Sequence, residues 1–228
     1  MARKYGMKLM YALWGEGLGE RLRGEELRKE LAGVGATRLQ VNVRDEDVAA
    51  AQVRHRTYES PISAIVSVWT EGEVEAVTAV LRAVAEEVNG WVVEERRPIE
   101  PPEVGDGVRT EALVNFAILR IPEELTREEW LHRWHVLHTP VAIETQATFG
   151  YVQNTVSESI TPGKRVDALV EELFPMGAMT SAHEFYGSGG DDAELQRRVT
   201  RLMESVVSFG AHLNLDLVPT SRYVFGLG

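Results

Sequence analysis

Along the chain, stretches in which apolar and polar residues alternate are separated by longer ones with apolar residues every three or four positions. A period of two marks strands, and a period near 3.6 marks helices. Lys8 to Trp14 reads as a short apolar strand, and the following GEGLG, Gly15 to Gly19, as a plain loop. That loop lacks both GxGxxG spacing and a downstream lysine, so it is not a phosphate cradle. Glu25 to Leu31, acidic first and basic later, predicts a short helix closed by Gly33 or Gly35. Ala36 to Val43 sets Leu39, Val41 and Val43 against Arg38, Gln40 and Asn42, a strand of period two. Asp45 to Glu59 is a polar connection whose HRTYES segment reads as a solvated loop able to lend polar groups to a pocket. Ile62 to Thr70 predicts a strand, Glu73 to Val88 an amphipathic helix, and Trp91 to Glu95 a fourth strand. The order β-α-β-β-α-β is the ferredoxin-like plan.

Pro98 to Gly107, PIEPPEVGDG, has the proline and glycine content of a linker. Residues 1–97 then form one half, 98–108 the connection, and 109–228 a second half on the same plan. There, strands are expected at Ala112 to Leu119, Phe149 to Val156, Ser181 to Tyr186 and Leu213 to Val218. Helices are expected from Arg127 to about Gln146 and from Asp192 to Phe209. An extra amphipathic segment, residues 163–179, could form a short helix at the domain edge or over a pocket mouth. A four-stranded sheet with both helices on one face needs cover on the other. Two such halves in one chain predict an α+β fold in which the sheets pair into an α+β barrel.

The stretch from Thr126 to Asn154 carries the candidate chemistry. Thr126 is a plausible N-cap, with Glu128 and Glu129 in the first turn. Trp130, Trp134, Leu137, His138 and Val141 recur at three- and four-residue steps and share one expected face. Pro140 lacks the N–H that would reach the Val136 carbonyl, so the helix should kink or restart there. His138 is then either a core histidine bonded to a backbone carbonyl or an acid–base group at a helix break. His132, His135 and His138 form HxxHxxH, but residues three apart drift by about 60° per step around a helix. No metal site is read from them.

The segment WLHRWHVLHTPV followed by TFGYVQN resembles the EthD family of ferredoxin-like, dimeric α+β barrel proteins. The matching positions are Trp134, His138, Pro140, Tyr151 and Asn154. The resemblance covers the second half well and the first half only in overall pattern. It implies a role in the catabolism or tailoring of small organic molecules. The expected site has His138, Tyr151 and Asn154 as catalytic groups, with Trp130, Trp134, His183 and Tyr186 around the substrate. The first half has neither tryptophan nor histidine at the equivalent place and is expected to be scaffold, with Tyr11, Trp14 and Trp69 mainly in its core.

Composition narrows the functional classes. Of 228 residues, 44% are hydrophobic and 26% charged, as in ordinary globular proteins. The net charge of −11 argues against nucleic acid and anionic membrane surfaces as partners. No apolar run reaches the roughly 18 residues of a membrane span, and the basic start lacks a cleavable leader pattern, so a cytoplasmic location is expected. With no cysteine there are no disulfides, thiol nucleophiles or zinc thiolates. The primary expectation is an enzyme without cofactor, using His138 as general acid or base on an apolar, aromatic or polyketide-like substrate. The alternatives are a non-catalytic binder of hydrophobic metabolites or accessory subunit, and a haem protein with a histidine ligand. A homodimer is compatible with each.

Overall fold

In a computed structural model, which describes residues 6–228, the alternating stretches become eight antiparallel strands and most longer-period ones become helices. The basic start, residues 1–5, lies outside the described residues. The first half runs β1 (Met7–Trp14), α1 (Leu18–Arg23), α2 (Glu25–Gly33), β2 (Ala36–Val43), β3 (Ala64–Thr70), α3 (Val74–Val84) and β4 (Glu87–Ile99). The second begins with β5 (Leu113–Leu119), α4 (Arg127–His132), a π-helical segment Arg133–His138, and α5 (Thr139–Thr145). It continues with β6 (Gly150–Ser159), β7 (Ala168–Phe174), α6 (Ala182–Tyr186), α7 (Asp192–Ser208) and β8 (Asp216–Gly226). The sheet closes in the order β1-β3-β2-β8-β5-β7-β6-β4. Each half supplies four neighbouring strands, and the halves meet at β2–β8 and β4–β6. Two ferredoxin-like halves thus pair into one α+β barrel.

Strand alternation decides what lies inside it. On β1, Met10, Ala12 and Trp14 turn inward to join Ile65, Trp91, Phe116, Leu169 and Leu173. Leu9, Tyr11 and Leu13 turn outward beneath the first-half helices. The interior is therefore filled by side chains and is no ligand chamber. Buried charges need partners, and those in the barrel have them. Lys8 pairs with Glu95 and donates to Asn154 at 2.7 Å, while Glu171 accepts from Gln40 at 2.8 Å and pairs with Arg222 at 3.0 Å. Among the described residues no helix is long and apolar enough to cross a membrane.

One close approach ties β1 to β4. Gly90 lies opposite Tyr11, and a Cβ at Gly90 would stand 2.5 Å from the Tyr11 ring. That ring is anchored by a 3.0 Å hydrogen bond to Thr78 on α3. Gly90→Ala is expected to cost about 1–3 kcal/mol by overpacking. The loss would be read as a lower urea midpoint with unchanged slope.

Several elements differ from expectation, each for a local reason. Leu18 and Leu22 bury themselves on α1, which begins inside the presumed glycine loop. α3 stops at Val84 because the chain is needed in β4, where Val88 pairs with Leu13. β4 itself runs into the presumed linker; Pro98 offers no N–H to the ladder, and the register with β6 shifts between Arg96 and Ile99. Residues 163–179 form no amphipathic helix, for Ala168–Phe174 is β7, buried on both faces, and so lacks the polar alternation that marks a strand. Ser181–Tyr186 is no strand, since Ser181 caps α6 by accepting from the Glu184 N–H.

Candidate functional site

The roof of the site is the interrupted helix. Thr126 and Glu129 close a reciprocal capping box at its start. Further on, the Thr139 N–H reaches back five residues to the Trp134 carbonyl, and the Thr139 hydroxyl bonds the same oxygen at 3.0 Å. Pro140, at the start of α5, cannot supply the normal bond, and the chain accommodates it by widening one turn into π-helix. The extra residue changes the phase of the helix. Trp130, Trp134 and His138 stay buried, and burial passes to Thr139, Ala142 and Thr145. Leu137, expected on the buried face, is 53% exposed.

The floor is the outer face of the second-half sheet. Glu172 on β7 is directly opposite Tyr151 on β6 and Asn115 on β5, so these three form one row across the sheet. Residues so paired have Cβ atoms roughly 5 Å apart. Between row and roof lies a cavity of about 350 Å³, within the range of small-molecule sites. Trp134, His138 and Phe209 cover it, Leu202 and Val206 of α7 close one side, and Tyr186 of α6 stands at another.

Of the five titratable groups that line it, His138, Glu172 and Tyr151 carry the candidate chemistry. His138 bonds Ser205 on α7 through Nδ1 at 3.0 Å and lies against Phe209, ring centroids 4.7 Å apart. Burial pushes its imidazole down to about 4, so it is neutral at physiological pH. Its Nε2 has no hydrogen-bond partner among the described residues. Glu172 is raised to about 7 by burial, and it too has neither hydrogen bond nor ion pair among the described residues. The Asn115 Oδ1 in the same row is buried and unbonded. The Tyr151 phenol is pushed up, first by burial and then by the Glu172 charge, which keeps it protonated. The side chains of Gln153, Trp134 and Thr139 surround its hydroxyl.

Of the residues singled out from sequence, Trp134, His138, Tyr151 and Tyr186 line this cavity. Asn154 does not, and the expectation that it joins them is corrected. Its side chain faces the barrel, accepting from Lys8 and donating to the Leu169 carbonyl at 3.1 Å. Trp130 sits behind the cavity, packed on Trp134 at 5.0 Å and on Phe209 at 6.4 Å. His183 is also outside, bonding Ser188 at 2.6 Å and facing Asp192 at 3.3 Å across the entry to α7. His132 is exposed, and His135 leans on Trp134 with ring centroids 4.3 Å apart, so the HxxHxxH imidazoles diverge. Tyr11 packs under α3, Trp14 lies in the barrel against Tyr58, and Trp69 lies beneath Lys8 and Arg38. In the first half the space equivalent to the cavity is filled by Leu22, Leu27, Leu31, Val41 and their neighbours.

Glu172, Asn115 and Ser205 are the members that sequence reasoning missed. The available signal for Glu172 was its position in ALVEELF, where it breaks the outward apolar series Ala168, Val170 and Phe174.

No family model matches the sequence, and no curated protein matches it either. Solved structures are similar to it. One is an anthrone oxidase-like protein, 9% identical, with a TM-score of 0.53 over 100% of this chain and 95% of that one. A proposed monooxygenase from Lactobacillus acidophilus is 9% identical at a TM-score of 0.49, covering 99% and 98% of the two chains. Another, from Fusobacterium nucleatum subsp. nucleatum, is 10% identical at 0.49, covering 98% and 96%. At 9% identity, what the first of them shares with this chain is the architecture.

Proposed function

We propose that this chain is a small-molecule enzyme that moves a proton on an apolar, aromatic or polyketide-like substrate held between the second-half sheet and its helices. The observation that carries the reading is Glu172, a buried carboxyl with no hydrogen-bond or ion-pair partner among the described residues, in a cavity otherwise lined mainly by apolar and aromatic groups. An unpaired carboxyl costs stability, and such groups cluster at sites where proton transfer is done. Its raised pKa makes it a competent base near neutral pH. The EthD resemblance supports the same cavity through Trp134, His138 and Tyr151. The first structural neighbour, described as anthrone oxidase-like, suggests a cyclic aryl ketone as a trial substrate.

In this scheme the Glu172 carboxylate removes a proton from a ring methylene conjugated to the substrate carbonyl through the aryl rings, as the methylene opposite the ketone of anthrone is. The C–H electron pair moves into the ring system and leaves an enolate on the carbonyl oxygen. Tyr151 O–H and His138 lie at the same cavity and can donate to that oxygen, stabilising the charge as it develops. A neutral His138 hydrogen-bonded to Ser205 is held in one orientation for this role.

The test measures proton removal alone. Anthrone is incubated without air in deuterated buffer, and loss of its methylene proton signal is followed by NMR. The protein is expected to speed exchange, with the rate rising as pH passes about 7, where Glu172 ionises. Glu172→Gln should slow it by about 100- to 10,000-fold. Binding of the ketone with exchange no faster than in buffer would make the protein a carrier of hydrophobic metabolites instead.

A further inference from the structure

The HRTYES segment is no plain solvated loop. Residues 54–58 fold against β8, where His55 and Leu217 exchange backbone hydrogen bonds of 2.9 and 3.5 Å. Thr57 is fastened to Asp216 through its hydroxyl at 2.8 Å. Between this strap and the barrel rim lies a cleft of about 250 Å³, separate from the catalytic cavity and sharing only the Leu217 wall with it.

Three arginines, Arg44, Arg54 and Arg56, converge on this cleft. In a chain of net charge −11, nine arginines among the described residues pair with carboxylates, Arg109–Asp47, Arg165–Asp167 and Arg201–Glu144 among them. Among the described residues none of these three has a carboxylate partner. Arg54 bonds only backbone carbonyls, Ala51 at 2.6 Å among them. Asp216 faces the same cleft, but Thr57 and Arg120 already engage its carboxylate. Partial desolvation at the rim and the charges of Arg54 and Arg56 hold the Arg44 guanidinium below its usual range. His55 adds a donor: its Nδ1 accepts from the Arg56 N–H at 2.9 Å, which leaves the proton on Nε2. Tyr58, Pro61, Ile62, Leu217 and Pro219 supply an apolar floor.

We propose that this cleft binds an organic carboxylate, an anion with a flat apolar body. Adjacent guanidinium groups repel one another until an anion sits among them, and their forked donors match a carboxylate. The floor selects for an anion that carries an apolar ring over bare phosphate. The assignment is independent of the chemistry in the catalytic cavity.

Calorimetric titration with naphthoate tests it. Naphthoate is expected to bind, and to weaken as salt is raised. Its methyl ester, which keeps the ring and loses the charge, should bind at least about tenfold more weakly, as should naphthoate to Arg44→Gln/Arg56→Gln. Both arginines are exposed and their side chains bond nothing among the described residues, so the variant should fold normally, checked by its thermal midpoint. Glu172→Gln should leave naphthoate affinity unchanged. The assignment is overturned by absent binding, by equal affinity of the ester or of the double variant, or by loss of affinity in Glu172→Gln. Inorganic phosphate competing as well as naphthoate would overturn the organic part of the claim.

Discussion

Glu172→Gln is expected to stabilise the protein by about 3 kcal/mol at about pH 8.5 and to leave it unchanged at about pH 4. The folded carboxyl titrates near 7 because it is buried, against an ordinary value of 4.5. Below 4.5 both folded and unfolded chains hold the proton, and a neutral amide replaces a neutral acid. Between 4.5 and 7 the unfolded chain has released its proton and the folded one has not, so wild-type stability falls as pH rises. Above 7 the full cost of a buried, unpaired charge is present, and the amide escapes it. Urea unfolding across this range measures the effect. A variant no more stable than wild type at alkaline pH would show that the carboxylate is satisfied in the fold, and the case for Glu172 as the base would go with it.

His138 works in the opposite sense. Its folded value near 4 lies below the ordinary 6.5, so the unfolded chain holds the extra proton between these values. Stability contributed by the neutral ring is complete above 6.5 and is lost as pH falls toward 4. Where the two ranges overlap, the slopes from Glu172 and His138 oppose each other. Wild-type stability should therefore vary little there, and either single substitution should uncover the other group's slope.

The second large effect is expected at the strap. Arg120→Met should cost about 3–5 kcal/mol, because it leaves a buried carboxylate without its counter-charge. Arg120 pairs with Asp216 at 2.8 Å, the two being 5% and 2% exposed. It also donates to the carbonyls of Arg165 and Asn214 at 2.8 and 2.6 Å. Burial alone would raise the Asp216 carboxyl, but hydrogen bonds from Thr57 and the Arg120 guanidinium outweigh it and hold it below its ordinary value. Adding Asp216→Asn to Arg120→Met should recover part of the loss, since the stranded charge is gone. Additive losses in the urea midpoints would mean that the pair contributes little as a pair.

The barrel was legible in the sequence because most of its strands are short apolar or alternating runs set off by turn residues and by helices of longer period. The repeat of β-α-β-β-α-β was legible for the same reason. The strand β7 was not, because ALVEELF carries two charged residues and its apolar Leu169 and Leu173 fall at a helix-like spacing of four. That omission hid the most informative residue. Glu171 and Glu172 are neighbours in a strand, so they must point to opposite sides. Glu171 meets Arg222 and Gln40 inside the barrel, while Glu172 is left alone in the cavity. Tyr151 and Asn154 err in the converse way. A separation of three is an odd number of steps along a strand, so the pair cannot share a face, whatever motif lists them together. The break at Pro140 was readable from proline chemistry, but its form was not. A π-turn and a kink relieve the same missing hydrogen bond, and only the π-turn moves Leu137 out and Thr139 in.

Because both sheets of the barrel belong to one polypeptide, their association is intramolecular. A barrel assembled from two chains obeys mass action and comes apart on dilution, taking any pocket that depends on it. Here the 13 residues between β4 and β5 act as a tether, keeping the partner sheet at a high and constant effective concentration. Closure also leaves no unpaired strand edge among the described residues for another copy to extend. A tethered pair is also released from symmetry: each half can change without its twin changing with it. That freedom is what permits one half to fill its pocket with leucine and valine while the other keeps an unpaired carboxylate in its own.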